Sequence, residues 1–217
     1  MNKIFDVDNK FFSTLSKVWD LIVLDLLWLL TVLIFIGPAC TGLYYAVVKN
    51  IRKSRGYTGG TFFHSFKTNF KQAAVIGILQ IIVGFGLFIC YTFAINMNPD
   101  VYFGQIYYWA TVFLILVFAM ISIYVYPVLS RFTMKTGAIL KLCLFMSVRH
   151  IGTTILGVVG IALVVFCWTM VVYSPLLLVA PAVYVFLLSF PMEKVLRRYM
   201  PKKEEQSEQE QEAWYYE

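Results

Sequence analysis

The run WDLIVLDLLWLLTVLIFIGPACTGLYYAVVKNIRK, residues 19–53, limits what this chain can become more than any other stretch. Residues 18–37 are twenty in number, of which fourteen are Leu, Ile, Val or Phe. At about 1.5 Å per residue they cross a hydrocarbon core about 30 Å thick. One acid, Asp25, lies deep in the run. A central aspartate costs about 2.5 to 3.5 kcal/mol against about 0.3 to 0.6 returned by each apolar residue, so the span is expected to insert. Gly37 then supplies a bend and Pro38 sits where a new helix would begin, so these two read as a helix break. Beyond them Leu43, Tyr44, Val47, Val48 and Ile51 recur on one face, with Lys49, Asn50, Arg52 and Lys53 on the other. That pattern predicts a segment lying on the membrane surface.

The remaining composition agrees with a membrane location. The 217 residues are 60% hydrophobic and 14% charged, far from the roughly 25% charge of soluble domains. Cys40, Cys90, Cys143 and Cys167 are widely separated and read as small packing residues. The first apolar run is too long for a cleavable leader and is expected to remain as the insertion signal.

In order, the chain is expected to carry an amphipathic interfacial segment at 1–17, a transmembrane helical domain at 18–192 and a basic-then-acidic tail at 193–217 whose end cannot bury a core. Spans are expected at 18–37, 73–95, 106–126, 151–173 and 176–191. Surface helices are expected at 38–53, at 61–72 with Thr61 as cap, and at 138–148. Gly77, Gly84, Gly86, Gly152, Gly157 and Gly160 mark places for close helix approach, and Pro127 should end or kink the third span. The fold class is therefore an all-α membrane protein of about five transmembrane helices plus basic amphipathic interfacial helices.

Counting bases orients this arrangement. Five spans put fifteen of the eighteen Lys and Arg on the side of the C-terminus, and only Lys3, Lys10 and Lys17 opposite. The positive-inside rule places the fifteen, and the C-terminus, in the cytoplasm. A competing arrangement turns the chain back at GPACTG and gathers all eighteen on one side. The charge count favours it, but an arm of about ten residues, 39–48, is only about 15 Å of helix and too short to cross. Five spans are therefore expected. The two halves also share an order of surface segment, glycine-bearing span, turn without a basic residue and span, which is either a duplication of the kind transporters show or the ordinary alternation of spans and basic loops.

The stretches LIVLDLLWLL, IGPACTGLYYAVVKNIR and GGTFFHSFKTNFKQA resemble the start of the YesL-like family of bacterial membrane proteins, defined by a domain of unknown function. The corresponding positions are 26–30, 37–39, 44–52 and 62–71, and the likeness is specific over about 12–82. The family often has asparagine where this chain has Asp25. The resemblance implies a multi-pass protein of a Gram-positive type plasma membrane, often encoded near carbohydrate uptake systems. It implies no activity.

Asp25 is the one ionisable group deep in an expected span, and such groups mark functional sites by default. The plainer reading is a packing residue bonded to Gln80, Thr111 or Thr169, and Asp25 with Gln80 forms the candidate intramembrane polar site. Lys49, Arg52, Lys53, Arg55, His64, Lys67 and Lys71 are candidates for anionic lipid headgroups or a partner's acidic face. Their plainer role is to set topology. Rings and lysines fall on opposite faces of 61–72, which suits a bilayer and not single-stranded nucleic acid. His64 and His150 have no metal-ligand spacing, and no phosphate loop, nucleophile elbow or zincin motif occurs. No catalytic residue, metal or cofactor is expected. The function expected is that of an accessory or regulatory membrane component beside a carbohydrate transporter, or in self-association. The alternative is a small transporter with a path lined by Asp25.

Overall fold

The computed structural model describes residues 10–52, 57–96, 102–170 and 180–200, and every regular element among them is helical. The helices are α1 (Lys10–Val32), α2 (Ile36–Ala46), α3 (Thr58–Thr68), α4 (Phe70–Asn96), α5 (Tyr102–Leu129), α6 (Thr136–Arg149), α7 (Ile151–Met170) and α8 (Ala180–Leu196). Val47–Arg52 continues α2 as a π-helix.

The element at the centre is the one expected on the surface. From Gly37 to Ile51 nearly every residue of α2 and its π-helical extension is buried, Lys49 and Asn50 included. Leu43, Val47 and Ile51 pack with Leu21 and Leu24 of α1 and Phe62 of α3. Tyr44 and Val48 face the other way, into a cluster with Val128, Met146 and Met192 of α5, α6 and α8. A helix apolar on both sides belongs inside a bundle. The surface reading of 38–53 is corrected because the polar residues at its end find partners inside the protein.

The chain turns back at residues 33–35, and the returning arm, 36–52, is longer than the ten residues expected of it. Asp20 of α1 accepts a 2.7 Å hydrogen bond from the Thr58 hydroxyl at the start of α3, so the middle of α1 lies level with that start. Gly37 stands in the first turn of α2, where a Cβ would fall 1.9 Å from the Ala73 carbonyl oxygen of α4. A Cβ on Gly77 of α4 would lie 2.9 Å from the Gly37 nitrogen. The two backbones touch here, so Gly37 serves close approach where a bend was expected of it.

α4 and α5 are long and apolar enough to cross a membrane, and α6 with 151–167 of α7 would make a third crossing if their 99° bend is one broken span. Five spans are thus an expectation beyond what these helices establish. At the bend, Thr154 Oγ1 donates to the Ser147 carbonyl at 2.7 Å, and the Tyr124 hydroxyl of α5 stands 3.0 Å from Thr154 Oγ1. These groups satisfy a carbonyl that the end of α6 leaves without a helical partner. α5 ends two residues past Pro127. α8 continues beyond Pro191, where a span end was expected, because Met192, Glu193, Val195 and Leu196 are all buried against the bundle. α3 starts at Thr58, and Thr61 lies inside it, donating to Asn50 Oδ1 and the Tyr57 carbonyl.

Candidate functional site

Two polar clamps hold α8, and each is built on a buried acid. The first is Asp25, wholly buried, whose Oδ1 and Oδ2 accept the Ala182 amide at 2.9 and 3.2 Å. The amides of a helix's first turn have no partner within the helix, and a carboxyl group there also complements the helix dipole. Pro181, lacking an N–H, leaves one fewer to satisfy. A side chain of α1 thus caps a helix 157 residues away.

The second clamp lies eleven residues along α8, or about 16 Å at 1.5 Å each. Glu193, only 2% exposed, receives Arg131 in bidentate fashion, Nε to Oε1 at 3.1 Å and Nη2 to Oε2. The Tyr44 hydroxyl donates to the same Oε1 at 3.1 Å. Nearby, Arg52 donates to the Ser189 carbonyl at 2.8 Å, and its guanidinium lies 4.8 Å from the Phe190 ring centre. The central helix, the end of α5 and α8 therefore meet at one carboxylate. Sequence reasoning counted Arg131 only as a charge that sets topology, and Glu193 only as the start of the tail. The one signal for them was an acid two residues after Pro191 in an otherwise basic segment.

The two members of the expected intramembrane site have different partners. Gln80 of α4 donates to Ser122 Oγ at 3.0 Å and accepts from the Tyr126 hydroxyl, both on α5. Thr111 donates within α5 to the Tyr107 carbonyl. The side chain of Thr169 lies outside the described residues.

The expected basic contacts divide in the same way. Lys49 is buried with its ammonium 5.5 Å from the Tyr45 ring centre, and the half-buried Arg52 gives one donor, Nη1, to the Ser189 carbonyl of α8. His64, Lys67 and Lys71 remain exposed. Lys53 and Arg55 lie outside the described residues. On the opposite side of α3 Phe62 is fully buried and Phe66 is centred 5.5 Å from Phe70, while Phe63 stays exposed. At the bend between α6 and α7, His150 Nε2 stands 3.0 Å from the Tyr199 hydroxyl. Burial, then Arg198 and Arg149, holds this imidazole below its ordinary pKa.

Between the clamps lies a half-open cavity of about 320 Å³. Trp28 of α1, Tyr44 of α2, Tyr126 of α5, Val164 of α7, and Tyr184 and Leu188 of α8 contribute to its wall, which is almost wholly carbon. The three tyrosine hydroxyls are engaged elsewhere: Tyr44 on Glu193, Tyr126 on Gln80, and Tyr184 on the Gly157 carbonyl at 3.1 Å.

Residues 21–91 match the family model described as "Protein of unknown function, DUF624". The chain is also similar to the uncharacterized protein YesL of Bacillus subtilis (strain 168). The two are 26% identical over 185 residues, which cover 80% of this chain and 85% of the relative. Both similarities support membership of the YesL-like family. No solved structure matches the chain.

Proposed function

We propose that this YesL-like membrane protein works by binding, as an accessory or regulatory component of a bacterial plasma membrane associated with carbohydrate uptake. In this reading it is multi-pass, its C-terminus is cytoplasmic, and it carries no catalytic residue or cofactor. Its partners are the bilayer with its anionic headgroups, a carbohydrate transporter subunit, or a second copy of itself. The observation that supports this reading is the fate of the buried polar groups. Among the described residues, every buried side-chain nitrogen or oxygen has a hydrogen-bond partner. Asp25, Gln80 and Glu193 each tie one helix to another. Groups committed to holding a bundle are poorly placed to pass a polar solute, whereas an exposed row such as His64, Lys67 and Lys71 is free to meet headgroups or a partner.

The test is affinity purification of the intact chain from native membranes after brief crosslinking, with mass spectrometry of the recovered proteins. Stoichiometric recovery of a transporter subunit is expected. Recovery of this chain alone would sink the accessory reading. The alternative, a small transporter with an Asp25-lined path, predicts loss of proton-coupled uptake in Asp25→Asn, and an unchanged uptake rate would remove it.

A further inference from the structure

We infer that the cavity between the two clamps is a binding site for one acyl chain of an anionic phospholipid, with the headgroup seated against Arg52. This inference is independent of any role in carbohydrate uptake.

The wall chemistry defines the ligand. The hydroxyls of Tyr44, Tyr126, Tyr184 and Ser122 are bonded to partners outside the cavity and the Cys40 thiol accepts from Trp28, so the wall presents almost only ring faces and aliphatic carbon, with little to recognise a sugar or an ion. A volume of about 320 Å³ is at the small end of the roughly 300 to 1,000 Å³ typical of ligand pockets. The exposed lining residues, Ile161 and Val165, are on α7, whose exposed large side chains among the described residues are aliphatic or aromatic. A cavity that opens through such a face onto a bilayer meets hydrocarbon before water.

The charge at one end selects the headgroup. Leu188 and Tyr44 line the cavity, and the residues bonded beside them bring in the basic groups. Arg52 binds the carbonyl of Ser189, next to Leu188, while Arg131 reaches Glu193, which Tyr44 also binds. Lys49 lies one turn before Arg52. Three bases thus stand against one acid. Arg131 is taken by Glu193 and Lys49 is buried, which leaves the half-buried Arg52 as the cation that can face a phosphate.

The experiment uses the full chain with Trp28 as its only tryptophan, the other four replaced by Phe, in zwitterionic vesicles. A minor fraction of lipid with brominated chains is added, bearing either a phosphatidylglycerol or a phosphatidylcholine headgroup, and quenching of Trp28 is read. The brominated anionic lipid is expected to be preferred about fivefold, the effect of one base near the surface. Val164→Phe, which fills the cavity, should abolish the excess. Leu163→Phe adds the same ring at an exposed neighbouring position and should preserve it. Arg52→Gln should equalise the two headgroups while quenching persists. Quenching that follows bulk lipid composition in the parent and in Val164→Phe alike would overturn the site. Equal excess from both headgroups in the parent would overturn its anionic assignment.

Discussion

Asp25 of α1 accepts the backbone amide of Ala182 at the start of α8, with both carboxyl oxygens within 3.2 Å. This bond gives a structural reason for a costly residue in an apolar helix. It fixes where α8 begins, and so places Pro181 and Tyr184 on the wall of the cavity. The buried acid acts on a helix end and not on Gln80, which is engaged with α5.

Asp25→Asn keeps a side-chain carbonyl for the amide and is expected to change thermal stability little. Asp25→Leu leaves the Ala182 N–H buried without an acceptor, at a cost of about 1 to 3 kcal/mol. Melting of the purified variants in one detergent checks this ordering. Equal loss in both would mean that something other than the acceptor matters.

Two of the expected spans, 73–95 and 106–126, were legible because crossing a bilayer needs only length and hydropathy, and α4 and α5 extend those limits by one to four residues at each end. α2 was not legible. Lys49, Asn50 and Arg52 look like a solvated face until Tyr45, Thr61 and the Ser189 carbonyl are brought to them, and the last lies 137 residues away. Glu193 was hidden for the same reason. An acid among bases reads as surface unless the fold brings Arg131 to it, and no local pattern announces that pairing.

The Arg131–Glu193 pair should behave as a buried ion pair does. Glu193→Gln or Arg131→Met alone leaves one charge buried without its counterpart, and about 3 to 5 kcal/mol of stability should be lost. The double variant Arg131→Met with Glu193→Leu should recover much of that, which a double-mutant cycle in detergent would measure. Tyr44→Phe, removing one bond to the carboxylate, is expected to cost about 1.5 to 3 kcal/mol. A cycle with no coupling between 131 and 193 would contradict the geometry.

The contact of α2 with α4 predicts opposite outcomes for three glycines. Gly37→Ala places a methyl group 1.9 Å from a backbone oxygen, and Gly77→Ala places one 2.9 Å from a backbone nitrogen. Neither neighbour is a flexible side-chain tip, so losses of at least the roughly 1 to 3 kcal/mol of overpacking are expected. Gly86→Ala meets nothing within 4 Å and should be neutral, or stabilising by up to about 1 kcal/mol through helix propensity. Expression level and melting temperature of the three variants, compared side by side, give the check.

The turn at residues 33–35 makes a prediction about sidedness that departs from the five-span expectation. The Asp20–Thr58 bond sets the middle of α1 level with the start of α3, whose exposed Lys67 belongs to the basic side, and the end of α1 remote from the turn points the same way. The start of the chain should therefore share that side, which gathers all eighteen bases together, as the positive-inside rule favours. In a cysteine-free background, Ser13→Cys is expected to resist an impermeant thiol reagent on intact cells and to react after lysis. Asn96→Cys serves as the opposite marker, because the 27 residues of α4 span about 40 Å and end on the far side. Labelling of Ser13→Cys on intact cells would put the N-terminus outside and require α1 to cross without returning, which the packing of Leu43 and Val47 against Leu21 and Leu24 does not permit.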